Sequence, residues 1–386
     1  MENLNKAPSK EFNNKKIIVA LSGGIDSVVL LHWLKKYHTN ISAVHINHNI
    51  SKNANQWQSF CEQLCQELQI NLQTFSIQIT PKNIEHDARN KRNEIFKNLL
   101  DEESILCTAH HQNDQAETLL LQLFRGSGSL GLSAMPRKKK LGKGYHYRPF
   151  LKIEKNDIID YAEKQQLKWI EDDSNKNTHF RRNFIRLEIL PKLLKQYPKI
   201  HKLLANASYH QAENTQLLEQ LAQNDIQQYQ LVKNSKLQVK ELLLLDTIRI
   251  KNVLRYFIKK NNISLPSHNI LKAIISSVLL AKIDSQPLVE WGNYQVRKFK
   301  NELYFLNKTI KNNQKCPFYQ SLKDKDNFNI RKRQGGERCK LKGATQTKTL
   351  KKILLEKNIP PWERNNLNLY YIKDKLVAIE KIGEVI

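Results

Sequence analysis

The chain has 386 residues, of which 63 are Lys or Arg and 37 are Asp or Glu, giving a formal charge of +26. That length predicts two or three domains of roughly 100–200 residues each, and a hydrophobic content of 40% supplies cores without reaching membrane composition. No apolar run approaches the roughly 18 residues of a membrane helix and the N-terminal stretch lacks an apolar secretory segment, so a cytoplasmic protein with no membrane partner is expected, while the positive excess favours a polyanion such as RNA or DNA.

In chain order, Lys16 to Leu21 reads as a buried strand, Ser22 to Ser27 as a small polar turn, and Val28 to Tyr37 as a helix. A second strand is predicted at Ile41 to Asn47 and a helix at about Asn55 to Gln69, where Cys61 and Cys65 share one face. The five cysteines are few, odd in number and irregularly spaced, which suits reduced thiols packing as small apolar residues. Further strands are predicted at Leu72 to Ile79 and Ser104 to Ala109, with helices at about Glu85 to Leu100 and Asp114 to Phe124. Strands alternating with helices of this length imply an α/β fold with a doubly wound, mostly parallel sheet.

Beyond it come Arg125-Gly126-Ser127-Gly128 and a basic loop, Arg137 to Lys140, followed by helical pattern at 154–168 and 181–222. Residues 205–280 read as Leu-, Gln- and Lys-rich helix, 287–307 as a pair of short hairpins, and 307–315 as a linker to a small basic module. The expected division is a first domain over residues 1–205, a mainly helical one over 206–310, and a basic α+β one over 316–386.

The chemistry concentrates where such a sheet binds ligands, beyond the carboxyl ends of its strands. Ser22-Gly23-Gly24-Ile25-Asp26-Ser27 places two glycines and two hydroxyls between a strand and a helix N-terminus, which suits close approach to a phosphate. Asp26 beside such a cradle calls for an intervening Mg²⁺ and so for a metal-nucleotide complex. His45, Asn47 and His48 follow the second strand. His110 and His111 follow the fourth and lead into Asp114 and Glu117, an i, i+3 pair that can hold Mg²⁺ or accept a proton. The loop is no Walker A, since no Gly-Lys-Ser/Thr follows, and the literal GxGxxG at Gly126 follows a helix instead of a strand.

The hexapeptide resembles the pyrophosphate-binding loop of the PP-loop ATPases. The remaining motifs resemble one branch of that superfamily, tRNA(Ile)-lysidine synthase. They are Val44 to His48, Ala88 to Arg92, Thr108 to Thr118, Arg125 to Gly128, Arg148 to Leu151, Glu171 to Asn175 and Arg182 to Arg186. In the C-terminal module they are Gly335 to Arg338, Lys348 to Lys352 and Ile359 to Arg364. Asn113 departs from the family's second Asp, and Asn49-Ile50 from its usual Gly-Leu.

The resemblance implies ATP-dependent ligation of free L-lysine to C2 of the wobble cytidine of a CAU-anticodon tRNA(Ile), through an adenylated base, with release of AMP and pyrophosphate. It implies ATP binding by Ser22, Gly23, Gly24, Ile25, Asp26, Ser27, His45, Arg125 and Gly126, and Mg²⁺ binding by Asp26 and Asp114. Catalytic roles fall to Asp26, Arg89, His110, Asp114 and Glu117, and tRNA binding to Arg182, Arg186, Arg338, Lys348, Lys351 and Lys352. A homodimer is left open. The rival readings are a PP-loop tRNA thiolase, for which the chain offers only Cys61-x-x-x-Cys65, and a non-catalytic RNA-binding protein.

Overall fold

The structure, a computed structural model, describes residues 4, 8, 10–49, 53–78, 84–171, 177–282, 285–309, 322–323 and 325–386. The expected linker from 310 onward, Ile50, Ile79, Asp172 to Asn175, Cys316 and the start of the expected third domain lie outside the described residues.

In the first unit, Met1–Leu218, the apolar runs form β1 (Lys16–Ala20), β2 (Ile41–Asn47), β3 (Asn71–Ser76) and β4 (Ser104–Cys107). They alternate with α1 (Ile25–Tyr37), α2 (Ala54–Glu67), α3 (Ile84–Leu99) and α4 (Gln112–Leu123). With β5 (Lys138–Leu141) and β6 (Gly144–Tyr147) the sheet order is β3-β2-β1-β4-β6-β5. All neighbours are parallel except β5 against β6.

Both faces of the sheet's centre are covered, which is why β1 and β4 read as apolar runs. Ile17 and Val19 pack with Val28, Leu31 and Leu34 of α1 and with Cys61 and Cys65 of α2, while Ile18, Val44 and Leu106 pack with Phe96 and Leu100 on the α3 side. Burial pushes the two thiols up to about 12 and about 11, so they are inert core side chains. The order reverses between β1 and β4, and that crevice is the ligand position of such sheets.

The expected basic loop at 137–140 is instead the edge strand β5. Its lysines alternate across the strand, and Lys138 and Lys140 each place an ammonium 4.8 Å from the Tyr145 ring centre, an arrangement that tolerates charge in extended backbone. The unit continues through α5 (Ser129–Leu132), α6 (Lys155–Lys164), α7 (Arg181–Phe184), a π-helical turn over Ile185–Ile189 and α8 (Leu190–Gln196), with Pro191 in its first turn. The chain then enters the long α9 (Ile200–Gln228), which crosses residue 205 without a break.

In the second unit, Glu219–Ile386, the expected continuous helix over 205–280 is interrupted. Asn234 and Ser235 both have positive φ, 51° and 59°, and make the two-residue turn between β7 (Val232–Lys233) and β8 (Lys236–Gln238). A five-stranded sheet forms in the order β7-β8-β11-β10-β9, its remaining strands being β9 (Leu288–Trp291), β10 (Tyr294–Phe299) and β11 (Glu302–Asn307). It packs with α10 (Val239–Leu242), α11 (Thr247–Lys260) and α12 (His268–Ala273). The C-terminal part holds β12 (Phe328–Lys332), the pair β13 (Arg338–Cys339) and β14 (Lys348–Thr349), then α13 (Leu350–Glu356), α14 (Pro361–Arg364), β15 (Asn368–Ile372), β16 (Lys375–Ile379) and β17 (Gly383–Glu384).

Candidate active site

The loop after β1 is tight because little else fits it. Gly23 has φ +87°, and a Cβ there would lie 3.0 Å from Ile170 Cδ1 and 3.3 Å from Cys61 Sγ, so both the backbone and the space call for glycine. Ser27 Oγ donates to the Gly24 carbonyl at 2.9 Å and accepts from the Ser22 amide at 3.1 Å, which closes the turn onto the N-terminus of α1. This is the geometry of a phosphate cradle.

Asp26, in the first turn of α1, faces the start of α6 and of α4. Lys155 Nζ lies 2.5 Å from its Oδ1, and His111 Nε2 lies 3.8 Å from the same oxygen. Asp114 caps its own helix, its Oδ2 accepting the His111 amide at 2.9 Å. α7 and the π-helical turn after it set one arginine each, Arg182 and Arg186, against α4. Arg182 donates to Glu117 Oε2 at 2.6 Å and to Asp114 Oδ1 at 2.7 Å, and Arg186 donates to Glu117 Oε1 at 2.6 Å and Oε2 at 3.0 Å. The Glu117 side chain is only 2% exposed, so these guanidiniums supply the compensation a buried carboxylate requires. Burial opposes ionisation of Asp114, but His111 and Arg182 outweigh it and hold this carboxyl below the usual carboxylate range.

Two hollows meet at these groups. One of about 590 Å³ is bounded by Ser22, Asp26 and His45, by Arg92 and His110, and by Phe180. A smaller one of about 300 Å³ shares Asp26 and Asp114 and adds Glu117, Lys155, Leu190 and His201. Arg92 lines the larger hollow, and Arg148 stands behind it, bonded to His146. Burial, then the charges of Arg89 and Arg182, lowers Arg92, and burial, then Arg89, brings Arg148 down to about 10. Burial likewise pushes His110 down to about 3 against the pull of Asp114. His146 falls to about 2 through burial and then Arg148. The two rings are therefore neutral, while arginines crowded so that they depress one another favour an anionic ligand.

The structure gathers Ser22, Gly23, Gly24, Ile25, Asp26, Ser27, His45, His110, Asp114 and Glu117 at one sheet edge. It places others elsewhere. Arg89 is exposed and off the hollow, where Arg92 stands instead. Arg125 and Gly126 are exposed at the far end of α4, about 16 Å along the helix from Asp114, and do not bound either hollow. Arg182 and Arg186 sit on the carboxylates rather than on a free surface. Arg338, Lys351 and Lys352 are exposed on β13 and α13, and Lys348 is paired with Glu356 at 2.8 Å.

Asn49 has φ +52°, a left-handed position where glycine is the usual residue and Asn the best-tolerated substitute. Asn113 lines the smaller hollow. Sequence reasoning gave no role to Lys155, Arg92, His146 or Arg148. Of these, Arg148 and Arg92 lie within motif segments, whereas Lys155 carries no local signal.

Among the described residues, no group of three or more His, Cys, Asp or Glu side chains is placed to hold a metal ion. Asp26 and Asp114 both line the two hollows and are of the oxygen-donor type that Mg²⁺ takes.

A PP-loop domain model matches residues 1–193, a TilS substrate binding domain matches 237–304, and a TilS substrate C-terminal domain matches 328–384. The chain is 38% identical to a tRNA(Ile)-lysidine synthase of Coxiella burnetii, over 95% of this chain and 89% of that protein. It is 39% identical to one of Legionella pneumophila (strain Paris), over 95% and 90%, and 34% identical to one of Buchnera aphidicola, over 95% and 90%.

Proposed function

The chain belongs to the tRNA(Ile)-lysidine synthase family, ATP-dependent ligases that modify tRNA, and from that premise we propose how its residues carry the reaction. The observation that carries the reading is the convergence of an intact phosphate loop, Asp26, Asp114 and Glu117 at the β1–β4 crevice, beside Arg92.

In this reading ATP lies in the larger hollow with its pyrophosphate portion on Ser22–Ser27. Asp26 and Asp114 would hold Mg²⁺, which offsets phosphate charge when bound. The cytosine O2 attacks the α-phosphorus and the bond to pyrophosphate breaks, a step that depends mainly on positioning and charge stabilisation. Arg92 and the neutral His110 face the phosphates there and stabilise the negative charge that develops.

Lysine enters the smaller hollow, its aliphatic stem against Leu190 and Leu194. An ammonium with an unperturbed pKa near 10.4 must lose a proton to become a nucleophile, and Asp114 or Glu117 receives it. The amine nitrogen then bonds to C2, the C2–O2 bond breaks, and AMP leaves with O2. Arg182 and Arg186 occupy those carboxylates beforehand, so lysine binding requires them to yield or share. The exposed cations Arg338, Lys351 and Lys352, with Lys348, contact the tRNA backbone, which positions it without reading sequence.

Incubation with ATP, Mg²⁺, radiolabelled lysine and an unmodified CAU-anticodon tRNA(Ile) transcript tests this reading. Label in RNA with matching AMP is expected. AMP without label would leave the PP-loop chemistry with a different nucleophile, and no turnover would favour a binding protein.

A further inference from the structure

Behind the larger hollow a chain of polar groups runs to His110, and of its members only His110 has a part in the mechanism. Arg148, just beyond β6, donates through Nη1 to the Pro136 carbonyl at 2.7 Å, and its Nη2 lies 3.4 Å from His146 Nδ1. His146 Nε2 lies 2.8 Å from Thr108 Oγ1, and the same oxygen lies 2.8 Å from His110 Nδ1. Thr108, His110 and His146 all bound the hollow. Parallel pairing of β6 with β4 brings this together, since it sets His146 beside Leu106, two residues before Thr108 and so on the same face of the sheet.

The direction of the chain follows from which groups can only donate. A guanidinium has no acceptor, so His146 Nδ1 must accept from Arg148. A neutral imidazole carries one N–H, so the His146 proton is on Nε2 and is donated to Thr108 Oγ1. The Thr108 hydroxyl accepts that bond and has one hydrogen of its own to give, and Thr108 is 9% exposed, so leaving that hydrogen unpaired would be costly. Its partner within reach is His110 Nδ1.

We propose that Arg148, His146 and Thr108 are positioning residues whose hydrogen bonds run in one direction and fix the His110 proton on Nε2, where it is donated to the ligand in the hollow. The burial that keeps both rings neutral is a precondition, since an imidazolium would donate from both nitrogens. With the opposite tautomer His110 would present a lone pair to phosphate oxygens. That the acceptor is an ATP phosphate rests on the function proposed above; the tautomer does not.

The two are separated by reading them on different samples. In the full-length, ligand-free protein labelled with ¹⁵N-histidine, long-range ¹H–¹⁵N spectra assigned by comparison with His110→Gln should show His110 Nδ1 bare and Nε2 protonated at neutral pH. Thr108→Val should move both nitrogens towards a mixture of tautomers and lower kcat for lysine incorporation about tenfold, the scale of one functional hydrogen bond. Thr108→Ser, which keeps the hydroxyl, should restore both. A wild-type spectrum with the proton on Nδ1 overturns the proposal, as does a Thr108→Val protein with unchanged spectrum and kcat, or a Thr108→Ser protein that restores neither. A wild-type enzyme that incorporates no lysine sinks the functional reading and leaves the spectrum to decide the tautomer.

Discussion

Asp26 and Glu117 are both carboxylates of one site, and the proposed reading gives them different steps. Asp26 lies at the loop and in both hollows, so Asp26→Asn should abolish adenylation and therefore all product. Glu117 bounds only the lysine-sized hollow; Glu117→Gln should spare adenylation, raise KM for lysine at least tenfold, a scale of about 1.4 kcal/mol, and let adenylated tRNA accumulate. Gel separation of free, adenylated and lysine-bearing tRNA distinguishes the two outcomes. The sequence exposed these carboxylates because each sits in a local motif. It could not expose their partners, because Lys155 is 129 positions from Asp26 and Arg182 is 65 from Glu117. Nor could it choose between Arg89 and Arg92, which are three residues apart and so only about 60° apart around a helix.

His110 and His146 bear on stability as well. Both are held far below the ordinary imidazole value, so as pH falls below about 6.5 the unfolded chain takes up protons that the folded one refuses. Stability is therefore full above that value and is lost progressively towards pH 3. Denaturant melts from pH 8 to pH 4 should show the decline, and His146→Gln should flatten it.

At the level of elements, the β5–β6 hairpin is where sequence reasoning and structure part, and it carries His146. Three consecutive lysines suppress the period-2 signal that marks a strand, and only the pairing of β5 with β6, which itself pairs with β4, reveals it. Gly144 makes that pairing close, because a Cβ there would lie 2.5 Å from the Ser104 carbonyl oxygen and 2.7 Å from that of Asp101. Both are backbone atoms that cannot swing aside. Gly144→Ala should destabilise the first unit by about 1–3 kcal/mol and lower activity beyond that loss by displacing His146 from Thr108. Comparing kcat and the unfolding midpoint of this variant with those of Thr108→Val separates the two effects. The phosphate loop, by contrast, was legible in full, since strand, glycines and helix N-terminus lie within one continuous stretch. The Asn234-Ser235 turn was not, because its flanking strands are two and three residues long.

For the whole molecule the charge of +26 predicts tRNA affinity that falls steeply with salt. Removing residues 316–386 should weaken binding and make the slope of log affinity against log salt shallower, measured by filter binding over a salt series; an unchanged slope would take phosphate contact away from that module. Charge also does a quieter job at the margin of the first unit's sheet. A terminal strand offers its unpaired amides and carbonyls to any extended chain that drifts past, and most proteins that fail in crowded solution fail there. One of the two terminal strands here is β5, a run of ammonium groups, and its bristles repel a second copy of the same lysines before backbone can meet backbone. The lysines that hide the strand from a sequence reader thus hide it from its neighbours too, and an enzyme whose substrate demands so much positive charge turns part of that charge into protection against sticking to itself.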